Sequence, residues 1–216
     1  MIDINNSSLN AIDNTIYKAA ASLQNLSKKN RGVKITIKKN IPIGAGLGGG
    51  SSNAASTIMV LNKLWGLNLN QEQMINIGRT IGADVPFFIS CKNAFASGIG
   101  DIFQEKESDI SKYVIIDPKI FNSTQKMFSD YEKSNKNKNE LLKDDQNSFL
   151  GIFLKSNKEV EDFYRKNSKK HQIYLSGSGS AMFIKYNNNA EKDKILKIIP
   201  SNWRFFLAKP LQYSPL

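Results

Sequence analysis

The run Gly44-Ala45-Gly46-Leu47-Gly48-Gly49-Gly50-Ser51-Ser52 constrains this chain more than any other feature. Before it, Val33, Ile35 and Ile37 alternate with Lys34, Thr36 and Lys38, the period of a half-buried strand whose ladder Asn40-Ile41-Pro42 ends. After it, Ala54, Ala55, Ile58, Leu61, Leu64 and Trp65 recur at helical spacing, so a helix is expected from Ser51 to about Trp65, with Gly66 at its stop. Glycines let a backbone approach a ligand without Cβ atoms in the way and adopt positive φ without steric cost, at the expense of more entropy lost on ordering. A helix start presents unsatisfied N–H groups and the positive end of the dipole, and phosphate is the natural ligand of such a mouth. A flexible linker does not require a helix to begin directly behind it.

What is absent narrows the class of loop. A Walker A loop needs Lys and Ser/Thr after its last glycine, yet Gly50 is followed by Ser51, and no lysine lies between Lys39 and Lys63. Gly44-x-Gly46-x-x-Gly49 has dinucleotide-binding spacing, but a second strand ending in an acid does not follow. Helix follows helix instead.

Elsewhere, Ile12, Ile16, Ala19, Ala20, Leu23 and Leu26 predict a helix over 10–27, after the candidate caps Ser7 and Ser8 and before Arg31-Gly32. A helix over 71–81 begins with the capping-box pair Asn70 and Gln73, carries Met74, Ile77 and Ile81, and stops at Gly82. Val85 to Ile89 reads as a strand or buried connection. The charged segment Gln104 to Lys112 is the best division point, giving domains 1–108 and 109–216. The second half predicts a strand at 113–116, helices near 123–131, 146–155 and 157–167, strands near 172–176 and 180–185, a helix near 189–198 and a strand at 203–208. The class is α+β.

Of 216 residues, 40% are hydrophobic and 23% charged, the mix of a chain that can bury a core. Lys and Arg number 30 against 19 Asp and Glu, a formal charge of +11. That balance favours anionic partners, but the lysines are scattered among asparagines, as in a solvated surface. One cysteine, Cys91, excludes an internal disulfide framework and multi-cysteine metal sites. No apolar run is long enough to span a bilayer and no export signal opens the sequence, so the expected address is the cytoplasm, with no membrane partner.

Further chemistry is confined to a few places. Asp84, in Gly82-Ala83-Asp84-Val85-Pro86, precedes apolar sequence that predicts its burial, and reads either as a general base or as a helix-end hydrogen-bonding acid. Ser176-Gly177-Ser178-Gly179-Ser180 joins two apolar strands, either as a plain hairpin turn or as a close contact with another loop or a ligand. His171, the sole histidine, lies in a basic solvated stretch, and Cys91 has no evident base partner. No metal ligands can be named.

Taken together, Pro42-Ile43-Gly44-Ala45-Gly46-Leu47-Gly48-Gly49-Gly50-Ser51-Ser52-Asn53-Ala54-Ala55, Gly82 to Pro86 and Leu175 to Gly179 resemble the three motifs of the GHMP kinase superfamily. The likeness is strongest to its branch acting on 4-diphosphocytidyl-2-C-methyl-D-erythritol in non-mevalonate isoprenoid synthesis. Ala94 to Gly100 and Ala208 to Pro215 match as well, and the similarity runs from about Asp13-Asn14 to the C-terminus. The resemblance implies two domains, one related to a ribosomal-protein fold with a left-handed crossover and incomplete here, the other ferredoxin-like, with the site in the cleft between them. It implies that Pro42 to Ser52 hold the phosphates of ATP, that Mg²⁺ accompanies the nucleotide, and that Asp84 takes the acceptor's proton. Thr124 and Phe128, with Gly177 and Gly179, fall where the family contacts its cytidine-diphosphate methylerythritol substrate.

In the family, a segment with an Ala-Lys-Ile-Asn-Leu-like motif and a catalytic lysine precedes the position of Met1. Lys18, Lys28 and Lys29 do not take that role. The expectation for this chain alone is therefore low or absent turnover, since the charge spread over a transferring phosphoryl group needs neutralising. Self-association or pairing with a complementing N-terminal fragment is expected too, through exposed apolar faces and an unpaired sheet edge. Two alternatives stand beside the leading one. The chain is a non-catalytic nucleotide- or RNA-binding remnant, although no base-stacking platform is visible and no nucleic acid is expected, or it is a GHMP kinase with another small-molecule acceptor.

Overall fold

A computed structural model describes residues 2–5, 14–27, 32–98, 100, 102–108, 110–135 and 147–214. The chain divides into two compact units, one of 1–40, 48–108 and 211–216, the other of 41–47 and 109–210. This differs from a single cut at 108 in two places, and hydrogen bonds explain both. Gly44 and Ala45 carbonyls accept from Asn122 N (2.9 Å) and Ala181 N (3.0 Å), tying the first part of the glycine-rich segment to the second unit. In the tail, Gln212 O accepts from Asn93 N and Ser214 N donates to Cys91 O, returning the chain end to the first unit.

In the first unit, β1 (Ile2–Asn5) and β2 (Val33–Thr36) pair in parallel, Ile2 opposite Val33 through Asn5 opposite Thr36, with α1 (Thr15–Leu26) between them in sequence. Helices α2 (Gly49–Trp65), α3 (Gln71–Ile81) and α4 (Val85–Ser90) follow, and then an antiparallel ribbon of β3 (Ala94–Ser97) and β4 (Ile102–Glu105). Four buried alanines, Ala19 and Ala20 on α1 and Ala54 and Ala55 on α2, let these helices approach closely, with Leu23, Ile58, Trp65, Val85 and Ile89 completing the core.

The second unit is a four-stranded antiparallel sheet in the order β6 (Ile173–Leu175), β7 (Met182–Tyr186), β5 (Lys112–Asp117), β8 (Arg204–Ala208). Its helices are α5 (Thr124–Asn135), α6 (Leu150–Ser156), α7 (Lys158–Asn167) and α8 (Asn189–Ile198). The core gathers Val114, Ile116, Met182 and Ile184 from alternate strand positions with Phe153, Val160, Phe163 and Ile195 from the helices.

Several expectations need correction. The α1 helix starts at Thr15 behind Asn14, whose Oδ1 accepts from Ile16 N (3.0 Å); Ser7, Ser8, Ile12 and Arg31 lie outside the described residues, as do Lys28, Lys29, Ile99 and Pro215. Leu26 and Leu64, expected on buried stripes, are exposed. Val85 to Ile89 is helical, because Pro86 sits in the first turn, where a missing N–H costs nothing and its fixed φ suits the helix. The strands β1, β3 and β4 were not expected. The ribbon pair is short and mostly exposed, so it lacks the alternation that announces a strand. The capping box of Asn70 and Gln73 is present in both directions, at 2.9 Å each.

Candidate functional site

The glycine-rich segment does two different things. In the second unit, Gly46 has φ +70° and its carbonyl accepts from Ser176 Oγ (2.9 Å). A Cβ there would collide with the Ser176 carbonyl oxygen and lie 2.8 Å from Gly179 N, so only glycine fits. Gly177 is pressed in return on Gly46, with a Cβ position 2.9 Å from its carbonyl oxygen. The 176–180 turn is therefore more than a hairpin connection: it packs backbone to backbone on residues 44–46.

Asparagines brace that contact. Asn122 donates from its side chain to Ser178 O while its main-chain N–H bonds Gly44 O. Asn147 Nδ2 reaches Gly177 O (2.7 Å) and Leu175 O (3.1 Å). Thr124 Oγ1 lies 2.9 Å from Ser178 Oγ. Phe128, one turn along α5, is about half exposed and meets Phe149 edge-on at 4.9 Å. Of the residues that the resemblance assigns to the acceptor, Thr124, Gly177 and Gly179 share one cluster, and Phe128 lies on the same helix as Thr124.

In the first unit, Gly48 is the N-cap of α2 with φ +67° and no side-chain cap. The helix begins at Gly49, two residues before the expected start. Its first-turn amides, Gly49, Gly50 and Ser51, have no intrahelical partner, and none bonds to another described residue. Ser52 N is the first amide satisfied, by Gly48 O at 2.9 Å. Phe88 closes the space beside Gly48, where a Cβ would be 2.8 Å from its ring.

A second helix start lies beside the first. Thr15 Oγ1 donates to Gly50 O (3.0 Å), joining the beginnings of α1 and α2. Asn14 is buried, at 7% exposure, with Oδ1 used as the α1 cap, yet its Nδ2 donates to nothing among the described residues. A buried unpaired donor costs free energy unless a ligand satisfies it. Sequence reading missed Asn14 as a site residue, because its free donor is visible only in three dimensions. Lys39, half-buried before the loop, has its pKa drawn below the ordinary lysine value by burial.

Asp84 contradicts one expectation: it is exposed, although Val85 and Pro86 behind it are buried. It is the N-cap residue of α4 by position, but its carboxylate caps nothing. Among the described residues it makes no helix-end hydrogen bond that would explain it structurally. Phe88, four residues on, is the residue that meets Gly48, so the turn starting with Asp84 belongs to the same part of the first unit as the α2 mouth.

This arrangement offers donors and one unengaged carboxylate. The open amides and the Asn14 Nδ2 suit the oxygens and nitrogens of a nucleotide, so the residues present fit ATP. No group of three or more His, Cys, Asp or Glu is placed to hold a metal among the described residues, and no helix among them is long and apolar enough to cross a membrane. His171 N bonds Asn167 O, and Cys91 Sγ donates to Phe88 O at 3.4 Å, both local contacts.

Residues 14–92 match the family described as GHMP kinases N terminal domain. The chain is 36% identical to the 4-diphosphocytidyl-2-C-methyl-D-erythritol kinase of Haemophilus ducreyi over 94% of its own length and 74% of that protein's. It is 39% identical to the enzyme of the same name from Buchnera aphidicola, covering 93% and 72%. A crystal structure of 4-(cytidine 5'-diphospho)-2C-methyl-D-erythritol kinase shares the fold, with a TM-score of 0.76 at 24% identity over 96% of this chain and 81% of that one.

Proposed function

We propose, from the premise that the chain belongs to the GHMP kinase family and to its 4-diphosphocytidyl-2-C-methyl-D-erythritol kinase branch, that it phosphorylates a hydroxyl of that cytidine-linked polyol at the expense of ATP. The observation that carries the reading is the uncapped start of α2, whose amides are unpartnered in the same unit as an unengaged, exposed Asp84.

The amides of Gly49, Gly50 and Ser51 bind phosphate oxygens, and fixed donors of this kind stabilise charge developing on a transferring phosphoryl group without reorganising. Asn14 Nδ2 supplies a further donor to the nucleotide. Residues 42–47 belong to the wider ATP loop by resemblance, with 44–46 held in shape by Ser176 and Asn122. Asp84 accepts the proton of the attacking hydroxyl as its oxygen bonds to the γ-phosphorus and the bond to the β–γ bridging oxygen breaks, leaving ADP. Thr124, Phe128, Gly177 and Gly179 contact the acceptor. Mg²⁺ bound with ATP supplies charge neutralisation, and Ser51 and Ser52, whose hydroxyls bond to no described residue, are the side chains at the helix start suited to it.

Single-turnover transfer from labelled ATP to 4-diphosphocytidyl-2-C-methyl-D-erythritol tests the proposal. The expected result is slow transfer by the chain alone, faster once a relative's N-terminal lysine segment is supplied, to that acceptor over mevalonate or homoserine, with Asp84→Asn in the completed version slower by about 10² to 10⁴ and ATP affinity unchanged. A preference for another acceptor overturns the substrate, and an undiminished rate in Asp84→Asn overturns the base.

A further inference from the structure

The Ser176-Gly177-Ser178-Gly179-Ser180 turn carries no apolar side chain, so hydrogen bonds rather than packing fix its shape. Asn147 holds the first half, by Leu175 O and Gly177 O, and Asn122 holds the second, its Nδ2 donating to Ser178 O. Gly179 leaves the Asn122 amide its room, since a Cβ there would lie 3.4 Å from Nδ2. Ser178 itself is 6% exposed.

Thr124, two residues after Asn122 and first in α5, is exposed. Its Oγ1 lies 2.9 Å from Ser178 Oγ, and that bond bears on its conformation. A threonine in a helix divides between two χ1 rotamers because its hydroxyl can also turn back to the backbone, as Thr57 Oγ1 does to Asn53 O and Thr80 Oγ1 to Ile77 O. A buried partner hydroxyl selects one of the two. Ser178 does so only while its own main chain is held, and the Asn122 amide is what grips it. The polar groups of Asn122 also serve different neighbours: the main-chain N–H bonds Gly44 O at 2.9 Å, and only the side chain reaches Ser178. Replacing the side chain therefore frees the turn and leaves the loop bond in place.

We propose that Asn122 is a positioning residue for the acceptor: it fixes Ser178, and the Ser178 hydroxyl fixes the Thr124 hydroxyl in the rotamer that meets the acceptor. The inference rests on the acceptor role proposed for Thr124, and it gives Asn122 and Ser178 no contact of their own with either substrate. A hydroxyl already held in its binding rotamer loses less freedom when a ligand arrives, so the relay acts on acceptor affinity. ATP affinity is untouched by it, because the bond from Asn122 to the glycine-rich segment is made by the main chain. The sequence hides this relay, as Asn122 and Ser178 are 56 residues apart.

Calorimetric titration of the whole chain with 4-diphosphocytidyl-2-C-methyl-D-erythritol and, separately, with ATP tests the inference. Asn122→Leu, close in size but without a donor, should weaken acceptor binding about three- to tenfold and leave ATP binding within about twofold of the parent. Ser178→Ala breaks the relay one step later and should give the same split; if Asn122→Leu does not fold, this variant decides. In a Thr124→Val background, where the last hydroxyl is already gone, Asn122→Leu should weaken acceptor binding no further. Additive losses in that background, a parallel fall in ATP affinity, or acceptor affinity untouched in both single variants would overturn the positioning role while the proposed function stands. A parent chain that binds ATP but not this acceptor would overturn the proposed substrate, and the inference with it.

Discussion

Residues 44–46 and 48–51 share a glycine-rich composition, yet different main-chain groups define what each stretch does. The carbonyls of Gly44, Ala45 and Gly46 are all occupied, by Asn122 N, Ala181 N and Ser176 Oγ. The amides of Gly49, Gly50 and Ser51 are all open. Glycine at 46 solves a problem of close approach inside the protein; glycine at 49 and 50 leaves a helix mouth uncovered. An anion needs donors, and the second stretch offers three at a helix start, where the dipole adds to them, while the carbonyls of the first hold the loop in shape.

Substitutions at the two stretches should separate these roles. The largest effect is expected from Gly46→Ala, where positive φ and a collision with backbone atoms combine, at a cost of roughly 3 kcal/mol or more in denaturant unfolding. If Gly46→Ala were as stable as the parent, the scaffolding role would be lost. Gly50→Ala should behave in the opposite sense. Its Cβ would sit 3.7 Å from Thr15 Oγ1, ordinary contact, and alanine in a helix gains up to about 0.5–1 kcal/mol over glycine. Stability is therefore unchanged or raised while ATP affinity falls about tenfold, because the added methyl crowds the open amides. Unaltered affinity would move the phosphates elsewhere.

Asn14→Asp gives a smaller and subtler separation. Aspartate caps a helix as well as asparagine, so α1 should hold, and the lost Nδ2 donor should weaken ATP binding about three- to tenfold. Asn14→Ala removes cap and donor together and should cost about 1 kcal/mol in stability besides. Equal ATP binding in wild type and Asn14→Asp would leave the buried amide without a ligand.

Local chemistry was legible in the sequence where it was decided locally. The capping box at Asn70, the stop at Gly66 and the strand–loop–helix order around the glycines all follow from neighbours in the chain. The three motifs also resemble those of the kinase family. Three-dimensional decisions were not legible. Val-Pro-Phe-Phe-Ile looks like a strand by composition; Pro86 suits a first helical turn, and the packing of α4 against α2 buries Val85 and Ile89 while Asp84 ahead of them stays exposed. The division of roles between Gly46 and Gly50 depends on Ser176 and Thr15, which are remote in sequence. The β3–β4 ribbon has too little buried surface to leave a pattern at all.

The most direct measurement is an NMR titration of the isotopically labelled chain with ATP, following backbone amides. The account predicts that the signals of Gly49, Gly50 and Ser51 shift on binding, as unpaired N–H groups acquire phosphate partners, and that inorganic tripolyphosphate moves the same three. If ATP binds and those three signals stay where they were, the open mouth of α2 is not where the nucleotide is held.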